Sequence, residues 1–426
     1  MNEPVASDAN QAATGPDFDM TTATLADPAI SPCPFSYYAA MRKADPVRLD
    51  PAIGYYWVAR RDDVLEAAQD ADRFSSNTDL QFRSSYRPRA QKLWDEAGIE
   101  VPYTILTSDP PEHQEYRRFA MSMFTPKRVG EMRAQILSIA NELIDAFAAK
   151  GEVEFAKNFA ELLPSTIVCD EYGFSRADRS KFKAWADSIL LLQTPGISED
   201  EEVALVTKVI ELFTYLASHI QQDRTPDQGR IMYDLATLNR ADGSPFTLME
   251  RAWMAMTIFI GGVDTTANTL VSSINHLCLH PELQDRLRGD DDAISYFIEE
   301  ILRLHGPVQS MARRAKTDFD FGDKHIAKGA DIMLCLGSAN RDEKYWEDPD
   351  SFRLDRANRR NHLSFGYGRH VCVGMHLARQ ELQIALKTIL ERMRNMRFQD
   401  PANPPQYLPL PIFRGIPLMP IAFDPA

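Results

Sequence analysis

The sequence lacks the long apolar run that a membrane-spanning helix requires. No stretch of about eighteen consecutive apolar residues occurs in the chain, so no segment is predicted to span a bilayer. The N-terminus also lacks the basic start and apolar centre of a signal peptide or membrane anchor. It is polar and rich in alanine, and we expect residues 1–20 to form a disordered tail.

Cysteine is scarce and shows no pairing pattern. The five cysteines are odd in number and widely spaced, so they form neither a disulfide framework nor a zinc-binding motif. This usage is typical of a reducing compartment, and we expect a cytoplasmic protein.

Positive charge is in deficit. The chain has 47 Lys and Arg against 61 Asp and Glu, a net charge of −14, which argues against nucleic acid as a partner. Local basic groups could nevertheless dock an acidic electron donor, although each could equally be ordinary surface. They are Arg117, Arg118, Lys127, Arg128, Arg356, Arg359, Arg360 and Arg369.

Linkers, repeats and low-complexity tracts are absent as well. With 44% apolar residues and no marked boundary, the sequence predicts one large domain over residues 21–426. Helical periodicity dominates residues 111–290, and strand-like patterns occupy residues 55–58, 313–336 and parts of 401–424. Residues 77–108 are predicted to be irregular. The fold class is therefore mainly α with small β-sheets.

A glycine-rich turn with one cysteine is the most informative segment. Residues 365–374 are Phe-Gly-Tyr-Gly-Arg-His-Val-Cys-Val-Gly, followed from Met375 by a strongly periodic helix. A cysteine just before a helix N-terminus is favoured as a thiolate, and a thiolate in such a loop is a good ligand for haem iron. An isolated cysteine would more simply be a buried, inert thiol.

The turn resembles the haem-binding signature of cytochromes P450. The resemblance implies a helix-rich prism around a buried haem b (iron protoporphyrin IX), with Cys372 as the axial thiolate ligand of the iron. It also implies haem contacts from the other residues of the turn that match the signature. These are Phe365, Gly366, His370 and Gly374.

A long helix is predicted from the capping box Thr247-Leu248-Met249-Glu250 to His280, roughly 50 Å. The run Gly261-Gly262-Val263-Asp264-Thr265-Thr266 breaks its apolar pattern and resembles the P450 oxygen-activation motif. The resemblance implies that Gly261 borders the haem, and that Asp264 and Thr265 relay protons while oxygen is activated. A helix kink with a solvated acid is the plainer alternative.

Further landmarks of the family recur along the chain. Glu300 and Arg303 match its buried E-x-x-R lock, whose third member is either Arg353 or Arg356. The resemblance extends from about residue 34 to residue 423. Four cationic residues match positions that bind the haem propionates, and His362 is a weaker fifth. The four are His113, Arg117, Arg313 and His370.

The resemblance also places a substrate pocket above the iron. Its predicted lining is mostly apolar, which favours a hydrophobic substrate such as a terpenoid, steroid or aromatic compound. Arg83, Ser84, Ser85 and Arg87 could bind a carboxylate, or could belong to a solvated loop. The predicted lining residues are Val101, Tyr103, Leu106, Thr257, Ile260, Val308, Gln309, Met311, Ile412 and Phe413.

These features together predict a monomeric monooxygenase that inserts one oxygen atom from O2 into a small hydrophobic substrate. Because no flavin domain is fused to the chain, electrons are expected from a separate iron–sulfur ferredoxin and its NAD(P)H-dependent reductase. Two alternatives stay open: a peroxide-driven peroxygenase, and a haem-thiolate binding protein without turnover. The acid–alcohol pair argues against both.

Overall fold

The computed structural model describes residues 18–78, 86–100, 102–192, 197–223 and 225–426. In chain order the α-helices of this described part are α1 (Phe35–Ala44), α2 (Arg61–Gln69), α3 (Pro88–Glu96), α4 (Glu112–Met123), α5 (Pro126–Glu131), α6 (Arg133–Asp145), α7 (Leu162–Tyr172), α8 (Arg179–Leu191), α9 (Glu199–Ile220), α10 (Arg230–Ala236), α11 (Leu248–Leu279), α12 (Glu282–Leu287), α13 (Asp291–His305), α14 (Leu336–Ala339) and α15 (Met375–Arg392). The strands are β1 (Val47–Leu49), β2 (Tyr56–Val58), β3 (Phe74–Ser75), β4 (Glu152–Glu154), β5 (Ser310–Ala315), β6 (Phe319–Phe321), β7 (Lys324–Ile326), β8 (Asp331–Cys335), β9 (Met393–Phe398) and β10 (Pro420–Pro425). A mainly α fold with small sheets is confirmed.

The chain divides into two compact units of interleaved segments. The sheet unit consists of residues 18–75, Arg133–Ala160 and Thr265–Ala426, and it contains every strand of the described part. The helical unit consists of the described residues of Ser76–Met132 and Glu161–Asp264. The division falls inside α11, between Asp264 and Thr265.

The sheet unit is organised around a mixed sheet with strand order β1-β2-β8-β5-β3. Only β2 and β8 of this sheet run parallel, and the other neighbours are antiparallel. Apolar side chains from its strands and from α2 form a buried core, to which Val58, Val64, Phe74 and Leu334 belong. This sheet positions β5, which follows the E-x-x-R helix α13.

The helical unit has an aromatic core. Tyr172, Phe182, Trp185 and Trp253 belong to it. The polar tips of two of these rings are satisfied: the Tyr172 hydroxyl donates to the Ala255 carbonyl at 2.7 Å, and the Trp253 indole donates to the Glu100 carbonyl at 2.9 Å. Both bonds fix the first half of α11 against its neighbours.

The capping box predicted for α11 is confirmed. The Thr247 amide donates to Glu250 Oε2 at 2.8 Å, and the Glu250 amide donates to Thr247 Oγ1 at 3.2 Å. The helix continues through both glycines and ends at Leu279. Asp264 is buried rather than solvated, so the plainer alternative of a kink with a solvated acid does not hold.

The structure differs from the sequence prediction at α3, which lies in the segment expected to be irregular. Pro88 occupies the first turn, and Ala90 and Trp94 face the core at helical spacing. The Trp94 ring lies 6.4 Å from that of Trp253. Because most other residues of α3 are polar, its apolar face is narrow and the periodicity is weak.

By length and composition alone, α9 is apolar enough to cross a membrane. Its first turn carries four acidic residues, from Glu199 to Glu202. Val209, Leu212 and Phe213 on its apolar face are buried in the core of the helical unit. The helix is therefore an amphipathic core helix of this unit.

Candidate active site

The turn that carries Cys372 is fixed by its own backbone. The Cys372 amide donates to the Phe365 carbonyl at 2.8 Å, which closes the loop directly before α15. Gly366 and Gly368 have φ of +73° and +69°, a region that favours glycine. A Cβ on Gly368 would lie 2.9 Å from the Ala68 carbonyl oxygen, so this glycine allows a close approach of two chain segments.

Cys372 is suited to ligation because its side chain is exposed at the start of a helix. Two other cysteines are held as thiols: burial raises the pKa of Cys278 to about 12, and that of Cys335 further. No group of three His, Cys, Asp or Glu residues in the described ranges could hold a metal ion. A haem suits a single cysteine such as Cys372, because its macrocycle supplies four ligands to the iron and the protein needs to supply only one thiolate.

Glu300 lies at the centre of a buried lock. Its Oε1 is 2.7 Å from Nη2 of Arg303 and 2.9 Å from Nε of Arg356, and all three side chains are buried. Burial raises the pKa of Glu300, but the hydrogen bonds and charges of the two arginines outweigh it and lower the pKa overall. The third member is thus Arg356, which the sequence left undecided.

Arg353 contributes to this lock only through its backbone. Its amide donates to Glu300 Oε1 at 3.1 Å, whereas its side chain pairs with Glu347 and Asp355 near the surface. Arg303 also donates to the carbonyls of Pro349 and Ser351 at 2.6 and 3.0 Å. The lock therefore holds the irregular segment that precedes the cysteine turn.

The predicted propionate ligands are distributed over both units. In the sheet unit, Arg313 is buried on β5 and donates to the Ala312 carbonyl at 2.7 Å, and His370 lies half-buried two residues before Cys372. In the helical unit, His113 and Arg117 lie one turn apart on α4. Their role toward a haem stays a prediction.

His362 does not fit its predicted role as a fifth propionate ligand. Its Nε2 lies 3.0 Å from Glu299 Oε2, and its Nδ1 accepts from the Ser364 amide at 3.2 Å. Both ring nitrogens are therefore engaged inside the sheet unit. Sequence reasoning missed Glu299, although a second carboxylate beside the E-x-x-R glutamate is a visible signal.

The predicted proton-relay residues are neighbours on α11. Asp264 is buried, and Thr265 is half-buried with its carbonyl accepting from Thr269 Oγ1 at 2.8 Å. One turn earlier Gly261 is exposed, and a Cβ added there would meet nothing within 4 Å. The helix surface at Gly261 is thus open enough for a ligand to approach its backbone.

Four predicted pocket residues come together in the sheet unit. Val308 and Phe413 form an antiparallel bridge, and the Gln309 amide donates to the Ile412 carbonyl at 2.9 Å. The Gln309 side chain is directed elsewhere: it is buried, donates to the Gly306 carbonyl at 2.6 Å and lies against Gly337. Only the backbone of Gln309 therefore takes part in the contact with Ile412. Met311 is half-buried on β5.

The other predicted pocket residues belong to the helical unit. Thr257 is buried and donates to the Trp253 carbonyl at 2.8 Å, and Ile260 is half-buried on the same helix. Tyr103 is half-buried, whereas Leu106 is 40% exposed at the tip of a turn closed by Thr104. Val101, Arg83, Ser84 and Ser85 lie outside the described residues.

Some of the basic residues considered for docking are unavailable for it. Arg356 is buried in the lock, and Arg128 is bound to Asp234 at 3.0 Å in the helical unit. Arg360 and Arg369 are exposed in the sheet unit. Only some of the predicted basic residues are therefore available to dock an acidic electron donor.

Comparison with known proteins agrees with these features. The family model described as cytochrome P450 matches residues 80–409. A steroid C26-monooxygenase from Mycolicibacterium smegmatis is 31% identical over 366 residues, which cover 85% of this chain and 86% of the relative. A biotin biosynthesis cytochrome P450 from Bacillus subtilis is 30% identical over 396 residues, which cover 92% and 96%.

A solved structure shows the same fold. Cytochrome P450 CYP109Q5 from Chondromyces apiculatus superposes with a TM-score of 0.82 at 26% identity, covering 96% of this chain and 99% of that chain. The family match spans most of the chain and includes both the lock and the cysteine turn. The chain therefore belongs to the cytochrome P450 family, and it is an oxidoreductase of the monooxygenase class.

Proposed function

We propose that this protein inserts one oxygen atom from O2 into a small hydrophobic substrate, and that the Cys372 thiolate would hold the iron of haem b. The observation that carries the proposal is an exposed cysteine in a turn closed by the Phe365 carbonyl, at the start of α15. Bound haem supplies the activation of O2, and electron donation by a thiolate ligand favours O–O cleavage. The helix N-terminus stabilises the thiolate form of Cys372.

Asp264 and Thr265 are proposed to move protons. Buried Asp264 holds a proton at its carboxyl, and Thr265 passes one through Oγ1 toward oxygen during its activation. Such proton delivery would support the oxygen chemistry that haem supplies when bound. The same pair favours use of O2 over use of peroxide as the oxidant.

Four cations are proposed to hold the haem propionates. They are Arg313, His370, His113 and Arg117. Charge-assisted hydrogen bonds to a carboxylate are about twice as strong as neutral ones, which suits residues that must orient a charged cofactor edge.

The proposed substrate is hydrophobic: a terpenoid, a steroid or an aromatic compound. Support comes from the apolar side chains of Val308, Ile412 and Phe413 in the sheet unit, where Val308 bridges Phe413 and the neighbouring Gln309 amide bonds to the Ile412 carbonyl. The steroid-oxidising relative is compatible with this class.

Electrons are proposed to come from a separate iron–sulfur ferredoxin and its NAD(P)H-dependent reductase. The protein itself is proposed to be a monomer in the cytoplasm. Exposed Arg360 and Arg369 could attract an acidic ferredoxin despite the net charge of −14. Turnover with ferredoxin, reductase and NAD(P)H should exceed turnover with hydrogen peroxide. Equal or faster peroxide turnover would replace this proposal with the peroxygenase alternative.

The carbon monoxide spectrum tests the ligand. The reduced protein with carbon monoxide should absorb near 450 nm, roughly the position typical of a thiolate-ligated haem in this family. Cys372→Ala should abolish that band, whereas Cys33→Ala, at the other exposed cysteine, should retain it. A band only near about 420 nm in freshly folded wild-type protein would refute thiolate ligation.

A further inference from the structure

A second charged cluster lies beside the E-x-x-R lock in the sheet unit, with Glu299 and His362 buried and Arg379 half-buried. Glu299 Oε1 is 2.6 Å from Nε of Arg379, and Glu299 Oε2 is 2.9 Å from Nη2 of the same arginine. The same Oε2 is 3.0 Å from Nε2 of His362. Because Glu299 and Glu300 are consecutive on α13, one helix serves two separate ion-pair systems. We call Glu299, Arg379 and His362 the Glu299 cluster.

The charges of this cluster balance. Burial raises the pKa of Glu299, but hydrogen bonds from His362 and Arg379 outweigh burial and lower it to about 2, so Glu299 is an anion. Burial lowers the pKa of His362. Its Nδ1 accepts a hydrogen bond from Ser364, which leaves the proton of a neutral ring on Nε2, facing Glu299. One carboxylate and one guanidinium remain, and they cancel.

The cluster is coupled to the cysteine turn through Phe365. The guanidinium carbon of Arg379 lies 4.5 Å from the centroid of the Phe365 ring, and the His362 ring lies 5.8 Å from it. The carbonyl of Phe365 accepts the hydrogen bond from the Cys372 amide at 2.8 Å. Arg379 itself is in the second turn of α15, the helix that follows Cys372. The cluster thus contacts the start of the turn and the helix after it.

We propose that the Glu299 cluster positions the turn of residues 365–372 and, because its charges balance, keeps the reduction potential of the haem bound there at the value that the thiolate sets. The inference rests on the proposed ligation by Cys372. Glu299, Arg379 and His362 are positioning residues, since they act through Phe365 and α15. A positive charge near a redox centre stabilises its reduced, more negative form, so a balanced pair leaves the potential where the thiolate sets it.

The test is the reduction potential of the haem-loaded protein at pH 8. Glu299→Gln leaves the Arg379 cation unbalanced and should raise the potential above that of the wild type. Arg379→Gln leaves the Glu299 anion unbalanced and should lower it. The double variant Glu299→Gln/Arg379→Gln restores neutrality and should return toward the wild-type potential. Shifts of the same sign in both single variants, or no shift in either, would overturn the inference.

A second comparison serves if the single variants fail to bind haem. Arg379→Lys keeps the charge but loses the two hydrogen bonds of the guanidinium to Glu299 and its planar contact with the Phe365 ring. Its 450 nm carbon monoxide band should convert on warming to the form near 420 nm several-fold faster than that of Arg392→Lys, a matched change in the last turn of α15. Equal conversion rates would contradict positioning by the cluster.

The wild-type spectrum separates the two levels of inference. If the wild type shows no band near about 450 nm, the ligand proposal itself fails. If the wild type shows the band and the variants match it in both potential and conversion rate, only the role of the Glu299 cluster fails.

Discussion

Glu300 binds two arginines at once, Arg303 and Arg356. The side chain of Arg356 is much less exposed to solvent than that of nearby Arg353. Arg356 is 3% exposed in its side chain and Arg353 is 28% exposed. Residues 351–355 belong to no helix or strand, so no periodicity in the sequence could show which arginine turns inward. The pairing of Glu300 with Arg303 could be predicted from their i and i+3 spacing on one helix, whereas its role as a buried lock was implied by the family resemblance.

Because Arg356 and Arg353 differ in burial, their alanine variants form a matched pair that tests the lock. Arg356→Ala leaves part of a buried carboxylate charge uncompensated and should destabilise the protein by about 3–5 kcal/mol. Arg353→Ala removes surface ion pairs and should cost at most about 1 kcal/mol. Denaturant unfolding monitored by circular dichroism measures both, and equal losses would contradict the assignment of Arg356 as the third member.

A buried carboxyl on α15 should make stability depend on pH. Burial raises the pKa of Glu381 from its ordinary value of 4.5 to about 8. Between these two pH values the unfolded chain loses this proton and the folded chain keeps it. Stability should therefore fall as pH rises through this window, by at most about 1.4 kcal/mol per pH unit.

Glu381→Gln should remove this part of the pH dependence, because an amide mimics the neutral acid. Its stability relative to the wild type should increase from pH 5 to about pH 8, measured by urea unfolding at several pH values. Glu391→Gln, at an exposed position of the same helix, is the control and should leave the slope unchanged. A pH-independent difference for Glu381→Gln would contradict a neutral carboxyl.

At the scale of elements, helices with strong local signals could be predicted and those without could not. α11 has a capping box and was predicted nearly to its end, and α15 has a strongly periodic apolar face and was predicted from its first residue. α3 was missed because its stability comes from a narrow contact of Ala90 and Trp94 with the helical core, which is a tertiary effect.

The junction between α7 and α10 is a crossing of two glycines that tolerates no side chain. Gly173 ends α7 with φ of +69°, and a Cβ there would lie 1.8 Å from the Gln228 carbonyl oxygen. On the opposite chain segment, a Cβ on Gly229 would lie 2.3 Å from the Tyr172 carbonyl oxygen. The two backbones therefore pack at a distance that only glycine allows.

Alanine at this crossing should be far more harmful than at an open glycine with similar φ. Gly98 has φ of +62°, and a Cβ added there would meet nothing within 4 Å, so Gly98→Ala should cost about 1 kcal/mol of backbone strain. Gly173→Ala adds a steric clash between backbones and should cost about 3 kcal/mol or more beyond that. Thermal unfolding of the two variants checks this, and similar midpoints would contradict the crossing.

At the scale of the whole molecule, the fold class and the family could be predicted from the sequence, because the cysteine turn, the E-x-x-R lock and the α11 motif are short patterns with fixed spacing. The hydrogen bonds and ion pairs that support these motifs could not be predicted. His362 was predicted as a weaker fifth propionate ligand, yet it bonds to Glu299 on α13. Contacts between residues 63 positions apart leave no periodic trace in one sequence.

Removal of haem should lower the stability of the whole protein. A ligand that binds only the folded state stabilises it by about 4 kcal/mol when its concentration is a thousandfold above the Kd. The haem-free protein should therefore unfold at a lower temperature than the haem-loaded protein in calorimetry. Identical midpoints would show that the cofactor does not select the folded state.

The interleaving of the two units has a consequence for recombination with relatives. An exchange of the helical unit needs crossovers after Ser75, Met132, Ala160 and Asp264. The last of these crossovers falls between the codons of Asp264 and Thr265, so a chimera would inherit the acid from one parent and the alcohol from the other. Each hybrid gene would thus reassemble the acid–alcohol pair from two lineages, and this crossover alone would determine which acid is combined with which alcohol.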